Sequence, residues 1–129
     1  MREILFRGKS NWDDGKVKKG DWLYSMTIHP HCSTDTEITS YYIGMGNKTI
    51  DGKTLGQYTG LTDKNGTKIF EGDIVKHPIG TFAIKFLNGT FCCSLIEDDY
   101  LTDLCSIHNQ CEVIGNIHDN TELLKEREG

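Results

Sequence analysis

TFAIKFLNGTFCCSL, residues 81–95, decides the fold class, because Asn88-Gly89 stands between two runs rich in Phe, Ile and Cys. Both central positions of a two-residue hairpin turn must accept positive φ, which Asn and Gly do. Pairing Leu87 with Thr90 then sets the register. Phe86 faces Phe91, Ile84 faces Cys93 and Phe82 faces Leu95, so three successive same-face pairs are apolar, while Lys85 meets Cys92 and Ala83 meets Ser94 on the other face. A one-residue slip would mix the two sets. Cys93 is therefore expected in the core, and the chain is expected to be mainly β.

The preceding segment, GQYTGLTDKNGTKIFEGDIVKH at 56–77, carries two further corners. Gly56, Gln57, Tyr58 and Gly60 lead into Asp63-Lys64-Asn65-Gly66, where Asn65 or Gly66 can enter the left-handed region and close a turn. Glu71-Gly72-Asp73 makes the second corner. Each is followed by an apolar pair, Ile69-Phe70 and Ile74-Val75, as suits a strand that bends around a small barrel. These residues read as architecture. A calcium loop fails on spacing, since Thr67 stands where a third ligand is needed and the loop is too short.

MREILFRG at the start reads as a first strand, DDG at 13–15 as a turn, and GDWLYSMTI at 20–28 as a second strand. HPHCSTDTEITS at 29–40 is polar and aperiodic and is expected to be an exposed, mobile loop before a strand at YYIG, 41–44. In EVIGNIHDNTELLKEREG, Val113, Ile114 and Ile117 suggest a final strand interrupted at Gly115. Asn120 or Thr121 then caps a short helix carrying Leu123 and Leu124, with KEREG frayed. One domain over residues 1–129 is expected from this length.

The net charge of −5 argues against a cationic coat for nucleic acid. Charge is nonetheless uneven: residues 1–20 carry six Lys or Arg against three acids, and residues 91–129 carry two against nine. No apolar run approaches the roughly 18 residues of a membrane span, and no leader-like segment follows the start, so the cytoplasm is the expected location. Five cysteines, at 32, 92, 93, 105 and 111, are then expected as reduced thiols. Zinc is the rival reading, through His29, His31, Cys32 and the triply spaced Cys105, His108 and Cys111, but neither cluster forms paired CxxC knuckles. No metal and no cofactor is expected.

Catalysis has little support. No Ser, Cys or Thr sits in a nucleophile elbow, Glu97-Asp98-Asp99 reads as solvated surface, and no phosphate-cradling glycine loop occurs. The chain is expected not to be an enzyme.

MREILFRG, GDWLY at 20–24, YYIG at 41–44, TLGQYTGLTDKNGTKIFEGDIV at 54–75 and EVIGNIHDNTELL at 112–124 together resemble the YopX family of phage and prophage proteins. The resemblance spans nearly the whole chain and implies a small, mostly β fold with an SH3-like barrel element. It carries over no catalytic or cofactor residue, and the chain departs from it mainly at 29–40.

Two function classes lead. The first is an accessory binding or interaction module for a host or phage protein, or a homo-oligomer, for which an exposed sheet edge and the acidic C-terminal half are suited. The second is single-strand nucleic-acid binding by Arg7, Lys9, Lys16, Lys18 and Lys19 beside Trp12, Trp22 and Tyr24. A metal-dependent enzyme is a distant third.

Overall fold

A computed structural model describes residues 3–13, 15–30, 40–44, 48–96, 98 and 100–128. Strands dominate, and they fall into three sheets. The chain divides into two compact units, residues 1–57 and 58–129.

In the first unit, β1 (Phe6–Lys9) pairs antiparallel with β2 (Trp22–Ser25), placing Arg7 opposite Tyr24 and Lys9 opposite Trp22. A separate sheet runs β3 (Ile28–Pro30), β4 (Ser40–Ile43), β5 (Thr49–Asp51). The stretch 20–28 is thus two strands and not one. Ser25 Oγ accepts the Thr27 N–H at 3.2 Å, a local side-chain turn that bends the chain out of the β1 ladder. β3 continues through His29 and Pro30, so the expected loop begins later, and its residues 31–39 lie outside the described residues. Ile43 and Ile50 are buried here. A Cβ on Gly8 would come 2.9 Å from Ile50 Cβ, so only glycine lets β1 approach that side chain. β6 (Gly56–Thr62) starts in this unit, with Gly56 opposite Arg7 and Gln57 opposite Phe6.

From Tyr58 onward β6 pairs with β7 (Lys68–Phe70) in the second unit. A five-stranded sheet follows from β8 (Asp73–His77), β9 (Gly80–Leu87), β10 (Thr90–Leu95), β11 (Leu101–Asp103) and β12 (Glu112–Asn116), in the order β11-β10-β9-β8-β12. The β9–β10 register is the one derived from Asn88-Gly89, from Leu87–Thr90 to Phe82–Leu95. Asn88 takes φ 52° and Gly89 φ 79°, as that turn requires. Phe82, Ile84, Phe91 and Cys93 supply one face of the core, joined by Ile69, Val75, Leu104 and Cys111.

The last strand is irregular where Gly115 suggested it: the β8–β12 register shifts between Val113 and Gly115. α1 (Leu104–Ile107) is the single α-helix among the described residues, its N-terminus capped by Asp103 Oδ1 on the Cys105 N–H. The short C-terminal helix, Thr121–Glu128, is of the 3₁₀ type. Asn120 bonds backward, its Oδ1 accepting the Asn116 N–H at 3.0 Å.

Two carboxylates hold the corners of residues 56–77. Asp63 Oδ1 accepts the N–H groups of Asn65 (2.8 Å) and Thr67 (2.9 Å), and Oδ2 accepts that of Val113 (2.9 Å). At the second corner Asp73 Oδ2 accepts the Phe70 N–H at 2.7 Å. Gly72, at φ 92°, donates its N–H to the Ile84 carbonyl and accepts from Ile117, so the chain leaves the β6–β7 ladder and enters the five-stranded sheet within two residues, Glu71 and Gly72.

Candidate functional site

The distinctive 56–77 segment is internal bracing. Asp63 is 5% exposed; burial pushes its carboxyl up, but the Val113, Thr67 and Asn65 N–H groups and the Lys64 charge outweigh that and hold it below the usual carboxylate value. Both of its oxygens are engaged by backbone N–H groups, so the carboxylate serves the turn. Asn65 stays out of the left-handed region, and Gly66 takes it with φ 82°. Gly60 (φ 87°) sits where the β6–β7 register shifts between Tyr58 and Thr62, and Tyr58 is buried against Phe70 at 5.6 Å.

The proposed cationic strip is brought together only in part. Arg7 is buried, with its guanidinium 4.5 Å from the Trp22 ring centre, and Lys9 Nζ lies 5.5 Å from the same ring. Lys16, Lys18 and Lys19 are exposed. Trp12 and Trp22 are half-buried and Tyr24 is exposed.

Cys105, His108 and Cys111 do not share an environment. Cys105 is exposed on α1, His108 Nδ1 lies 2.7 Å from the Thr62 carbonyl, and Cys111 is fully buried, its thiol donating to Ile107 O. Cys111 lies past the helical turns in extended backbone, so the spacing by threes does not align the set. Burial, with the Asp63 charge, pushes the Cys111 thiol up to about 11. Burial, reinforced by neighbouring Cys111, Cys92 and Asp103, takes Cys93 to about 12. Both stay protonated at neutral pH, unsuited to thiolate chemistry. Among the described residues no group of three or more His, Cys, Asp or Glu could hold a metal. His31, Cys32, Glu97 and Asp99 lie outside the described residues.

A candidate interface appears instead on the outer face of the β9–β10–β11 end. Lys85, Leu87, Thr90, Cys92, Leu101 and Asp103 share that face by register. Leu87, Thr90, Cys92, Leu101 and Asp103 line a groove of about 410 Å³. Leu87 is 40% exposed and Leu101 52%. β11 has one strand neighbour, β10, among the described strands. The Leu95 N–H donates to Tyr100 O, which marks 95–100 as a hydrogen-bonded pair. By antiparallel alternation Cys93–Thr102 is the next, so Leu101 turns its N–H and carbonyl, and Asp103 its N–H, toward the open edge, while the Asp103 carbonyl, at the N-cap of α1, accepts the first helical bond. Sequence reasoning anticipated an exposed edge without locating it; the alternation Leu101-Thr102-Asp103 is the one local signal for this strand, and it is only three residues long.

The family model described as YopX protein matches residues 3–125. The chain belongs to the YopX family. Among solved structures, a chain titled "Crystal structure of protein EF1440 from Enterococcus faecalis" is similar to this YopX protein at TM-score 0.56 and 23% identity, over 96% of this chain and 99% of that one. That likeness concerns the fold. No curated protein matches this YopX chain. No helix among its described residues is long and apolar enough to cross a membrane.

Proposed function

We propose that this YopX protein is a non-enzymatic accessory module, encoded by phage or prophage and working in the host cytoplasm, that holds an extended segment of another protein against β11. The observation that carries the reading is the open β11 edge beside the Leu87–Leu101 groove, where backbone donors and acceptors adjoin exposed apolar side chains. Strand addition uses that combination: the edge supplies main-chain bonds and the groove selects an apolar side chain. Charge selects further. Residues 58–129 carry twelve acids against six Lys or Arg, and Asp98 and Asp103 lie near this edge in sequence, so the partner segment is basic. The reading of this unit as an SH3-like barrel element rests on the β8–β9–β10 meander and the sharp corner at Gly72.

A display library of random short peptides tests it. Enriched peptides should alternate apolar residues with Lys or Arg, and Leu101→Pro should weaken their binding by about tenfold or more, a loss of about 1.4 kcal/mol. Leu101→Pro removes an outward N–H and spares the β10 ladder, as proline does on an edge strand. Leu101→Asp attacks the groove independently. No enrichment, or enriched peptides indifferent to both variants, would overturn the reading.

Single-strand nucleic-acid binding is the second reading, favoured by the exposure of Lys16, Lys18 and Lys19. It ranks lower because Trp22, the ring a base would stack on, already carries Arg7 and Lys9.

A further inference from the structure

We propose that the second unit also binds a small oxyanion, a carboxylate or phosphate group, in the pocket formed by Lys64, Lys76, His77, Pro78, Gln110 and Glu112. The pocket has a volume of about 350 Å³ and is built from three segments: the 63–67 turn, the end of β8, and the residues that lead into β12. It is independent of the β11 groove.

The argument begins at His77, a side chain only 9% exposed. Its Nδ1 accepts the Ile79 backbone N–H at 3.2 Å, so the ring proton of the neutral imidazole is on Nε2. Nε2 lies 2.8 Å from Gln110 Oε1 and therefore donates to it. That bond fixes the amide in turn: with Oε1 engaged by the imidazole, the Gln110 NH₂ is left as the donor end of the side chain, and Gln110 is exposed. The ring itself is steadied by an edge contact with Phe82 at 6.0 Å. A backbone N–H thus orients, through two side chains, a pair of amide donors at a pocket that two exposed ammonium groups also line.

Donors converge here and acceptors are few. Asp63, next to Lys64 in the chain, spends its carboxylate on three backbone N–H groups. Gln110 Oε1 is taken. Glu112 is the one lining carboxylate, and it faces Lys76 across the β8–β12 ladder. An oxyanion meets Lys64, Lys76 and the Gln110 NH₂, and competes with Glu112 for the lysines. Substitution at Glu112 should therefore change affinity in the opposite direction from substitution at the lysines.

Titration of the full chain with inorganic phosphate and, separately, acetate, followed by the ¹⁵N resonances of the Gln110 NH₂ and the Lys64 and Lys76 amides, tests this. Saturable shifts are expected with at least one probe. Acetate saturation points to a carboxylate ligand, and saturation by phosphate alone to a phosphate group. The Lys64→Ala/Lys76→Ala pair and Gln110→Glu, which keeps the acceptor for His77 and removes the donor, should each weaken binding about tenfold, or about 1.4 kcal/mol. Glu112→Gln should tighten it about threefold. Linear, non-saturating shifts, or saturation indifferent to Gln110→Glu, at an exposed side chain, and to Glu112→Gln, an isosteric change at a half-buried one, would overturn the proposal.

Discussion

Asp63 shows how one side chain can carry a whole turn. Two backbone donors on Oδ1 and one on Oδ2 are obtainable only from a carboxylate, because an amide would present its NH₂ to one of those N–H groups. Asp63→Asn should cost about 1–3 kcal/mol at pH 7, the range for leaving a buried donor unsatisfied. The dependence on pH has a definite sign. The folded carboxyl titrates below its unfolded value near 3.8, so its contribution is complete above that pH and is lost as pH falls through the folded value. Urea unfolding at pH 7 should separate wild type from Asp63→Asn, and the gap should close near pH 2. A gap equal at both pH values would show that the charge of Asp63 does not matter.

At the scale of elements, β11 deserves the closest test because the interface reading depends on which way its backbone points. In native-state hydrogen exchange the Thr102 amide should be protected by Cys93, while the Leu101 and Asp103 amides exchange freely. Protection at Leu101 would mean that the edge is already covered. The contrast between β11 and the β9–β10 hairpin also explains what could be read from sequence. The hairpin is specified locally: Asn88-Gly89 sets the turn, and the alternation of Phe82, Ile84 and Phe86 against Phe91, Cys93 and Leu95 sets the register. β11 is only three residues long and follows an acidic run, and it exists because β10 offers it a ladder, which an alternation as short as Leu101-Thr102-Asp103 cannot announce by itself. The break at Met26–Thr27 escaped for a related reason. GDWLYSMTI has strand-forming residues on both sides of a side-chain turn at Ser25. The oxyanion pocket was equally hidden, since His77 and Gln110 lie 33 residues apart and their bond depends on the tertiary fold.

Across the whole molecule charge is the main division. Residues 1–57 carry eight Lys or Arg against seven acids, and residues 58–129 six against twelve. Nucleic acid would therefore find only a local foothold, in which Lys16, Lys18 and Lys19 are the exposed cations of the strip. Three phosphate contacts give a salt slope of about −2 for a single strand, so affinity should fall about twenty-fold from 50 to 200 mM salt. Fluorescence anisotropy with a labelled single-stranded oligonucleotide should show binding confined to low salt and removed when all three lysines become alanine. Binding that persists at near-physiological salt would put nucleic acid ahead of protein as the target.

The Asp63–Val113 bond reaches across 50 residues, and translation makes those residues in order. When the 63–67 turn first emerges from the ribosome, its carboxylate has the Asn65 and Thr67 donors and must wait for the third. The most distinctive segment of the chain is thus a provisional structure during synthesis, and it is finished only when β12 arrives to close it.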